Sequence, residues 1–168
     1  MTAIPKESLP DSKSPDLILR HPTEEECVGI WNNTSAAWID SLTPPVYLNE
    51  SLYLTTVPLA RNGGMTTWVL VYKDSAPLCS CETFWKHSLT SDAQGNVSDN
   101  IVHGIASVFC SLPYRRRGYA GRMMQELIKR LYTWQTSKFP CVGTTLYYDI
   151  GKEYYAKLGW TPIMYRFR

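Results

Sequence analysis

A strand, a glycine-containing turn and a helix between residues 101 and 134 constrain the fold of this chain most. The run IVHGIASVFCSL, residues 101–112, is mostly apolar, as is typical of a strand buried inside a sheet. From Gly118 onward, apolar residues recur with the period of an amphipathic helix, and a β-rich run follows at residues 141–150. This order predicts a crossover unit with parallel strands, whose ligand site lies at the carboxyl end of the first strand.

The elements around this unit predict an α/β fold with a mixed central sheet flanked by helices. Thr23 and Glu26 form a capping-box pattern that predicts a helix starting near Thr23. The other predicted elements, in chain order, are a strand at 16–20, a helix around 45–56, a hairpin of strands at 66–73 and 78–86, a helix at 151–160 and a strand at 162–168. The polar segment 87–100 is predicted to be a mobile loop.

Length and composition bound the class of protein. A chain of 168 residues with 44% hydrophobic content suits one domain. Residues 1–15 hold three prolines and are predicted to form a flexible tail, which leaves residues 16–168 as the domain. No signal pattern and no apolar run near the roughly 20 residues of a membrane span is found, so a cytoplasmic protein without a membrane partner is expected. The five cysteines favour reduced thiols over disulfides.

The stretch LPYRRRGYAGRMM, residues 112–124, is the strongest functional signal. A helix entrance exposes unpaired N–H groups, glycines allow a ligand to approach the backbone, and arginines add positive charge, so the stretch suits a pyrophosphate or a phosphorylated nucleotide. The net charge of +2 argues against a general nucleic-acid binder. The stretch lacks the Gly-Lys-Ser/Thr ending of a Walker loop and the Gly-x-Gly-x-x-Gly of dinucleotide folds.

Two motifs resemble those of the GCN5-related N-acetyltransferase superfamily. RRRGYA, residues 115–120, matches its Arg/Gln-x-x-Gly-x-Gly/Ala signature, and YAKLGW, residues 155–160, is similar to its Tyr-x-Lys-x-Gly-Phe ending. More narrowly, HPTEEE, TVPLARNGGMT, CETF, HGIASVFC and DIGKEYYAKLGW resemble the fungal lysine ε-N-acetyltransferases of lysine catabolism. The resemblance implies a three-layer fold and transfer of an acetyl group from acetyl-CoA to a primary amine, here the ε-amino group of lysine.

The resemblance also implies which residues bind acetyl-CoA, and it implies no metal. The strand before the loop would contact the pantetheine arm through its backbone, and the loop would bind the pyrophosphate. The residues at these positions are Val108, Phe109, Cys110, Arg115, Arg116, Arg117, Gly118, Tyr119, Ala120 and Gly121. Only eight residues follow Trp160, enough for one strand where the superfamily has two, so the domain is expected to lack its final strand. A further C-terminal region or a partner chain would complete the sheet.

The chemistry implied by the resemblance needs a base for the amine and an acid for the leaving thiolate. Glu82 is the leading candidate for the base or for an anchor of the amine, because a carboxylate inside an apolar strand is costly without a role; a carboxylate on the solvent face of the strand is the equally weighted alternative. His103 is the second candidate for the base. The phase of the YAKLGW motif assigns the acid to Tyr155.

Two cysteine-based alternatives and one functional alternative stay open. An acyl-cysteine at Cys110 ranks below a structural thiol, because its strand is apolar and no base adjoins it. Cys79 and Cys81 lack the second ligand pair of a zinc site. A catalytically degenerate domain that binds acyl-CoA or a protein partner is the alternative to an enzyme.

Overall fold

The computed structural model describes residues 9–73, 75–148 and 150–162 of the chain. The predicted final strand, residues 162–168, lies outside the described residues beyond Pro162. The helices and strands are, in chain order, β1 (Leu17–Arg20), α1 (Glu24–Trp38), α2 (Pro44–Leu54), β2 (Met65–Tyr72), β3 (Cys79–Ser91), β4 (Val97–Cys110), α3 (Tyr119–Leu131), β5 (Cys141–Leu146) and α4 (Lys152–Ala156). Among the described helices, none is long and apolar enough to span a bilayer.

Within the described residues, five strands form one sheet, and the sheet is mixed, as predicted. They lie in the order β1-β2-β3-β4-β5. The first four strands pair antiparallel, and β4 pairs with β5 in parallel. Because α3 connects β4 to β5, these three elements form the predicted crossover unit.

Strand β2 shows how the helices cover both faces of the sheet. Its Trp68 and Leu70 are buried in the main core together with side chains of α3, while Val69 and Val71 are buried in a second cluster with Ile30 of α1. Alternate residues of a strand point to opposite faces, so α1 and α3 lie on opposite sides of the sheet. The apolar stripe of α3 consists of Met123, Met124, Leu127 and Leu131, all fully buried.

The polar segment 87–100, predicted to be a mobile loop, instead continues β3 and β4 as a hairpin. The prediction was wrong because polar side chains were interpreted as a sign of a loop, whereas here they pair across two strands. Nε2 of His87 lies 2.6 Å from Oδ1 of Asp99. At the tip, the Asp92 carboxylate accepts hydrogen bonds from the backbone and side-chain nitrogens of Asn96, at 2.9 and 2.8 Å.

Residues 9–15 also differ from their predicted place in a flexible tail. The hydroxyl of Tyr119 donates to the carbonyl of Pro10, and Nη1 of Arg122 donates to the carbonyl of Ser12 at 3.3 Å. Leu9 packs against the main core. The prediction of a flexible tail was based on composition, which indicates only that this stretch cannot form a hydrophobic core of its own. In the structure the stretch instead packs against the main core, to which α3 contributes. Residues 1–8 lie outside the described part of the chain.

The predicted capping box at the start of α1 is present. The amide of Glu26 donates to Oγ1 of Thr23 at 3.2 Å, and Oε2 of Glu26 accepts from the amide of Thr23 at 2.8 Å.

We expect Thr23→Ala to lower the free energy of unfolding in urea by about 0.5–2 kcal/mol, because the amide of Glu26 loses its hydrogen-bond partner. Thr43 precedes α2 without a side-chain capping bond, so Thr43→Ala is the matched control and should cost less. Equal losses would contradict the capping interpretation.

Candidate active site

The loop between β4 and α3 forms an open helix entrance. Gly118 precedes α3 with a φ of 81°, in the left-handed region that favours glycine, and no side chain caps the first turn. A Cβ at Gly118 would lie 2.8 Å from Oγ of Ser12, so the backbone is also closely approached here. The first amides of a helix have no partner inside the helix and carry partial positive charge, so this entrance can bind an anion.

The three arginines of the loop have different surroundings. Nε of Arg115 donates to the carbonyl of Cys110 at 2.9 Å, and its guanidinium lies 5.3 Å from the centre of the Phe109 ring. Burial raises the pKa of Tyr119, and the charge and hydrogen bond of Arg117 partly oppose that rise. Arg115 therefore joins the loop to the end of β4, and Arg117 lies close enough to Tyr119 to influence its hydroxyl.

A cleft opens where β4 and β5 separate. The two strands pair from Ile101 and Cys141 to Ile105 and Leu146, and β4 then continues to its end without β5. The cleft has a volume of about 400 Å³. Its lining comes from β4, from the end of β5, from α1 and from α4, and consists of Trp38, Ile105, Ala106, Ser107, Val108, Leu146, Tyr147, Tyr148 and Tyr155.

A second cavity, of about 310 Å³, lies between the sheet and helices α1 and α2. We call it the acceptor cavity. Glu82 of β3 and Ser107 of β4 are part of its lining, and Trp31, Trp38, Tyr47 and Phe84 supply aromatic walls. Trp38 and Ser107 line both this cavity and the cleft between β4 and β5. The two spaces are therefore neighbours that share these two residues.

A β-bulge accounts for the position of Ser107. Ser80 pairs with Phe109 and Glu82 pairs with Ala106, so the single residue Cys81 of β3 lies opposite two residues of β4, Ser107 and Val108. The φ of Ser107 is 54°, an uncommon value for a residue other than glycine. Its hydroxyl donates to Oε2 of Glu82 at 2.8 Å. The extra residue in β4 thus directs a hydroxyl at the carboxylate of the neighbouring strand.

The environment of Glu82 favours its neutral form. Burial raises the pKa of Glu82, and the hydrogen bond from Ser107 opposes part of that rise. Glu82 lines the acceptor cavity and is only partly exposed, and its role as a base or an anchor stays a prediction. A carboxylate with a raised pKa is the kind of group that accepts a proton near neutral pH.

His103, the second candidate base, is not brought together with Glu82. It is fully buried, its Nε2 lies 3.1 Å from the carbonyl of Trp134, and its Nδ1 has no hydrogen-bond partner among the described residues. Burial lowers the pKa of His103. His103 and Ile105 are two residues apart on β4 and so share a face, and Ile105 belongs to the core that contains α3. His103 lines neither the cleft nor the acceptor cavity.

Helix α4 turns Tyr155 toward the cleft and Tyr154 away from it. Tyr155 is buried and lines the cleft, with ring centres 5.1 Å from Tyr154 and 6.1 Å from Trp160. The hydroxyl of Tyr154 lies 3.9 Å from the position of a Cβ on Gly121, near the start of α3. Burial raises the pKa of Tyr154. The two neighbouring tyrosines therefore have different surroundings, and the assignment of the acid to Tyr155 stays a prediction.

Cys110 and Cys79 are partners across β3 and β4. A hydrogen bond from Cys79 lowers the pKa of Cys110, and the nearby charge of Arg115 acts in the same direction. The same contact raises the pKa of Cys79. Cys110 lines neither the cleft nor the acceptor cavity, so these spaces give no support to an acyl-cysteine. Within the described residues, no group of three or more His, Cys, Asp or Glu side chains could hold a metal ion.

Solved acetyltransferase structures share this fold. An acetyltransferase from Trypanosoma brucei is similar over 91% of this chain and 98% of its own, with a TM-score of 0.59 and 18% identity. A GCN5-related N-acetyltransferase from Ralstonia eutropha is similar over 90% of this chain and 97% of its own, with a TM-score of 0.59 and 14% identity. The structure of AAC(6′)-Iy in complex with the bisubstrate analogue CoA-S-monomethyl-acetylneamine is similar over 90% of this chain and 98% of its own, with a TM-score of 0.58 and 15% identity. The chain therefore has the fold of the GCN5-related N-acetyltransferases, which confirms the predicted fold class.

Among curated proteins, the chain is similar to a lysine acetyltransferase of Yarrowia lipolytica. The two are 25% identical, and the match covers 70% of this chain and 34% of the yeast protein. The chain thus spans about a third of the length of the curated relative that it matches. No family model matches the chain. Together with the solved structures, this relative confirms the resemblance seen in the motifs.

Proposed function

We propose that the chain transfers an acetyl group from acetyl-CoA directly to a primary amine, the ε-amino group of lysine, with both substrates bound at once. The observation that carries this proposal is that the cleft and the acceptor cavity share Ser107 and Trp38 as lining residues. In the proposal, an amine beside Glu82 and a thioester beside Tyr155 approach each other at these two residues. Lysine as the acceptor is supported by the name of the Yarrowia lipolytica relative and by the resemblance in sequence.

The residues around the cleft and the loop fit acetyl-CoA. The end of β4, Val108 to Cys110, carries backbone groups that β5 leaves unpaired and that a pantetheine arm can bind. The entrance of α3, from Gly118 to Gly121, offers amides to a pyrophosphate, and Arg115, Arg116 and Arg117 supply positive charge beside it. Acetyl-CoA, when bound, supplies the activated acetyl group.

Glu82 acts in this proposal as the base or as the anchor of the amine. A lysine amine with a pKa near 10.4 is neutral in only about one molecule in 2,500 at pH 7, so a proton acceptor is needed. Glu82 lies in the acceptor cavity, whereas His103 lies in the core, which leaves Glu82 as the better placed of the two candidates. Tyr155 donates a proton to the departing thiolate from its place in the cleft.

The direct test of the function is the release of thiol from acetyl-CoA with and without an added amine. Purified protein should release CoA thiol faster when lysine is added, and mass spectrometry should find N-acetyl-lysine. Parallel assays with polyamines and lysine-containing peptides compare the acceptors. Thiol release that is no faster than in the absence of protein, with or without an amine, would contradict the proposal and favour a domain that binds acyl-CoA without transferring its acetyl group.

Binding of CoA should raise the melting temperature, since a ligand that binds only the folded state stabilises it. At 100 times its Kd, the gain is about 2.7 kcal/mol in the free energy of unfolding. Reversing the charges of Arg115 and Arg117 together should reduce this gain more for CoA than for dephospho-CoA, if they lie near the ribose phosphate. Arg130 lies in the last turn of α3, so Arg130→Glu is the control at the far end of the helix. If CoA still raises the melting temperature as much in the variant with both charges reversed, the phosphates of CoA do not bind beside Arg115 and Arg117.

A further inference from the structure

One face of α2 borders the acceptor cavity. Its lining residues Tyr47, Glu50, Ser51 and Leu54 follow the i, i+3, i+4, i+7 spacing of a single helix face. The hydroxyl of Tyr47 lies 3.0 Å from Oγ1 of Thr34 in α1, and both residues are buried, which fixes this face relative to α1. Glu50 is the charged residue of the face, and it is exposed. The cavity therefore has one carboxylate on the strand side, Glu82, and another on the α2 side.

The described lining of the acceptor cavity has a negative charge balance. It contains these two carboxylates and no Lys, Arg or His side chain. Glu50 has no ion pair among the described residues, in contrast to Glu26 of α1, which is held by the Arg20 guanidinium at 2.7 Å. A cation that enters the cavity is attracted by the Glu50 carboxylate, and by Glu82 whenever that group is ionised, whereas the carboxylate of a zwitterion is repelled.

The aromatic walls favour the same kind of ligand. Trp31 and Trp38 of α1, Tyr47 of α2 and Phe84 of β3 line the space that also holds the two carboxylates. Aromatic faces attract ammonium groups and also pack well against methylene chains. A linear chain with an ammonium group at each end matches a cavity that is apolar along its walls and acidic on two sides.

We propose that Glu50 is a specificity-determining residue that selects acceptors carrying a second positive charge. The amine that reacts lies at Glu82, and the second ammonium group lies at Glu50. This inference rests on the proposed function and narrows its acceptor to dicationic amines without a free carboxylate, such as linear diamines or lysine whose carboxyl group is blocked. Glu50 takes no part in the acetyl transfer itself.

The test compares two acceptors of equal chain length, 1,5-diaminopentane and pentylamine, at saturating acetyl-CoA. After the twofold statistical advantage of a symmetric diamine is divided out, the wild-type protein should have a KM for the diamine about 2- to 5-fold lower than for the monoamine, the range expected for one exposed charge pair. Lysinamide should likewise be preferred to lysine. Glu50→Gln should abolish both preferences and leave kcat with the monoamine unchanged. Glu25 of α1 is exposed and is not among the lining residues of the acceptor cavity, so Glu25→Gln is the matched control and should keep both preferences.

Binding measurements separate failure of this inference from failure of the proposed function. Titration of either amine into the protein saturated with CoA reports acceptor binding without turnover. If no amine is acetylated but the diamine still binds more tightly and loses this advantage in Glu50→Gln, the inference stands and the acetyltransferase proposal is wrong. If turnover occurs with equal KM values for both amines, or if Glu25→Gln removes the preference as strongly as Glu50→Gln, the inference is overturned and the proposed function stands. If neither turnover nor a Glu50-dependent preference in binding is found, both are overturned.

Discussion

Replacing Tyr155 by phenylalanine is expected to lower kcat by about 10²- to 10⁴-fold, the usual contribution of a general acid. The change removes only a hydroxyl from a buried ring that lines the cleft. Its packing against Tyr154 and Trp160 is retained, so folding and binding of acetyl-CoA should survive. The measurement is steady-state kinetics beside a thermal-shift titration with CoA, because the second assay shows that the variant still binds the cofactor.

Tyr154→Phe is the matched control for this prediction. The two tyrosines are neighbours on α4, and the hydroxyl of Tyr154 lies toward Gly121 of α3. Its loss should change kcat by less than about 3-fold, because the hydroxyl has no place in the proposed proton transfer. A larger loss at Tyr154 than at Tyr155 would mean that the assigned helix phase is wrong. An unchanged kcat in both variants would mean that water or another group protonates the departing thiolate.

Glu82→Gln is expected to cause the second large loss, greatest near neutral pH. A base must be ionised to accept a proton, so the wild-type rate should rise with pH through the pKa of Glu82, which burial raises. In the variant the rate should fall by about 10²- to 10⁴-fold at pH 7 and recover in part at alkaline pH, where more of the amine is already neutral. A loss of the same size at every pH would indicate an anchor rather than a base. His103→Ala is the comparison: a pH-dependent loss in that variant alone would reverse the ranking of the two candidates.

The same substitution has a consequence for stability that is independent of turnover. Because burial raises the pKa of Glu82 in the folded state, its neutral form is favoured on folding. Its favourable contribution is fully present below the pKa of the unfolded chain, about 4.3, and is lost as the pH rises through the higher folded pKa. The wild-type protein should therefore lose stability relative to Glu82→Gln over that window in urea unfolding. A constant difference would mean that Glu82 has the same pKa in both states.

Local patterns in the sequence predicted the elements that local interactions determine. The Thr23 and Glu26 pair predicted the start of α1 because a capping box involves only four neighbouring residues. The entrance of α3 at Gly118 was predicted for the same reason, since it depends on a short glycine-containing motif.

Features that depend on distant residues were not predicted from the sequence. The position of Ser107 depends on a bulge against β3, and its one sequence signal is a polar residue in the mostly apolar run 101–112. The contribution of Glu50 depends on which face of α2 turns toward the sheet, and α2 has no strongly one-sided apolar pattern to indicate it. Similarly, a histidine on a strand has the same sequence signature whether it faces a cavity or a core, so the burial of His103 needed the structure.

The hairpin of β3 and β4 divides the site between two halves of the chain. Its tip at Asp92 to Asn96 follows α1, α2 and Glu82 and precedes Ser107, the α3 entrance and Tyr155. A backbone cut at the tip would thus put most of the acceptor cavity on one fragment and the loop between β4 and α3 on the other. Only re-formation of the ladder that runs from the Cys79 and Cys110 pair to the Ser91 and Val97 pair would bring Glu82 back to Ser107. In such a split protein, strand pairing and assembly of the site become the same event.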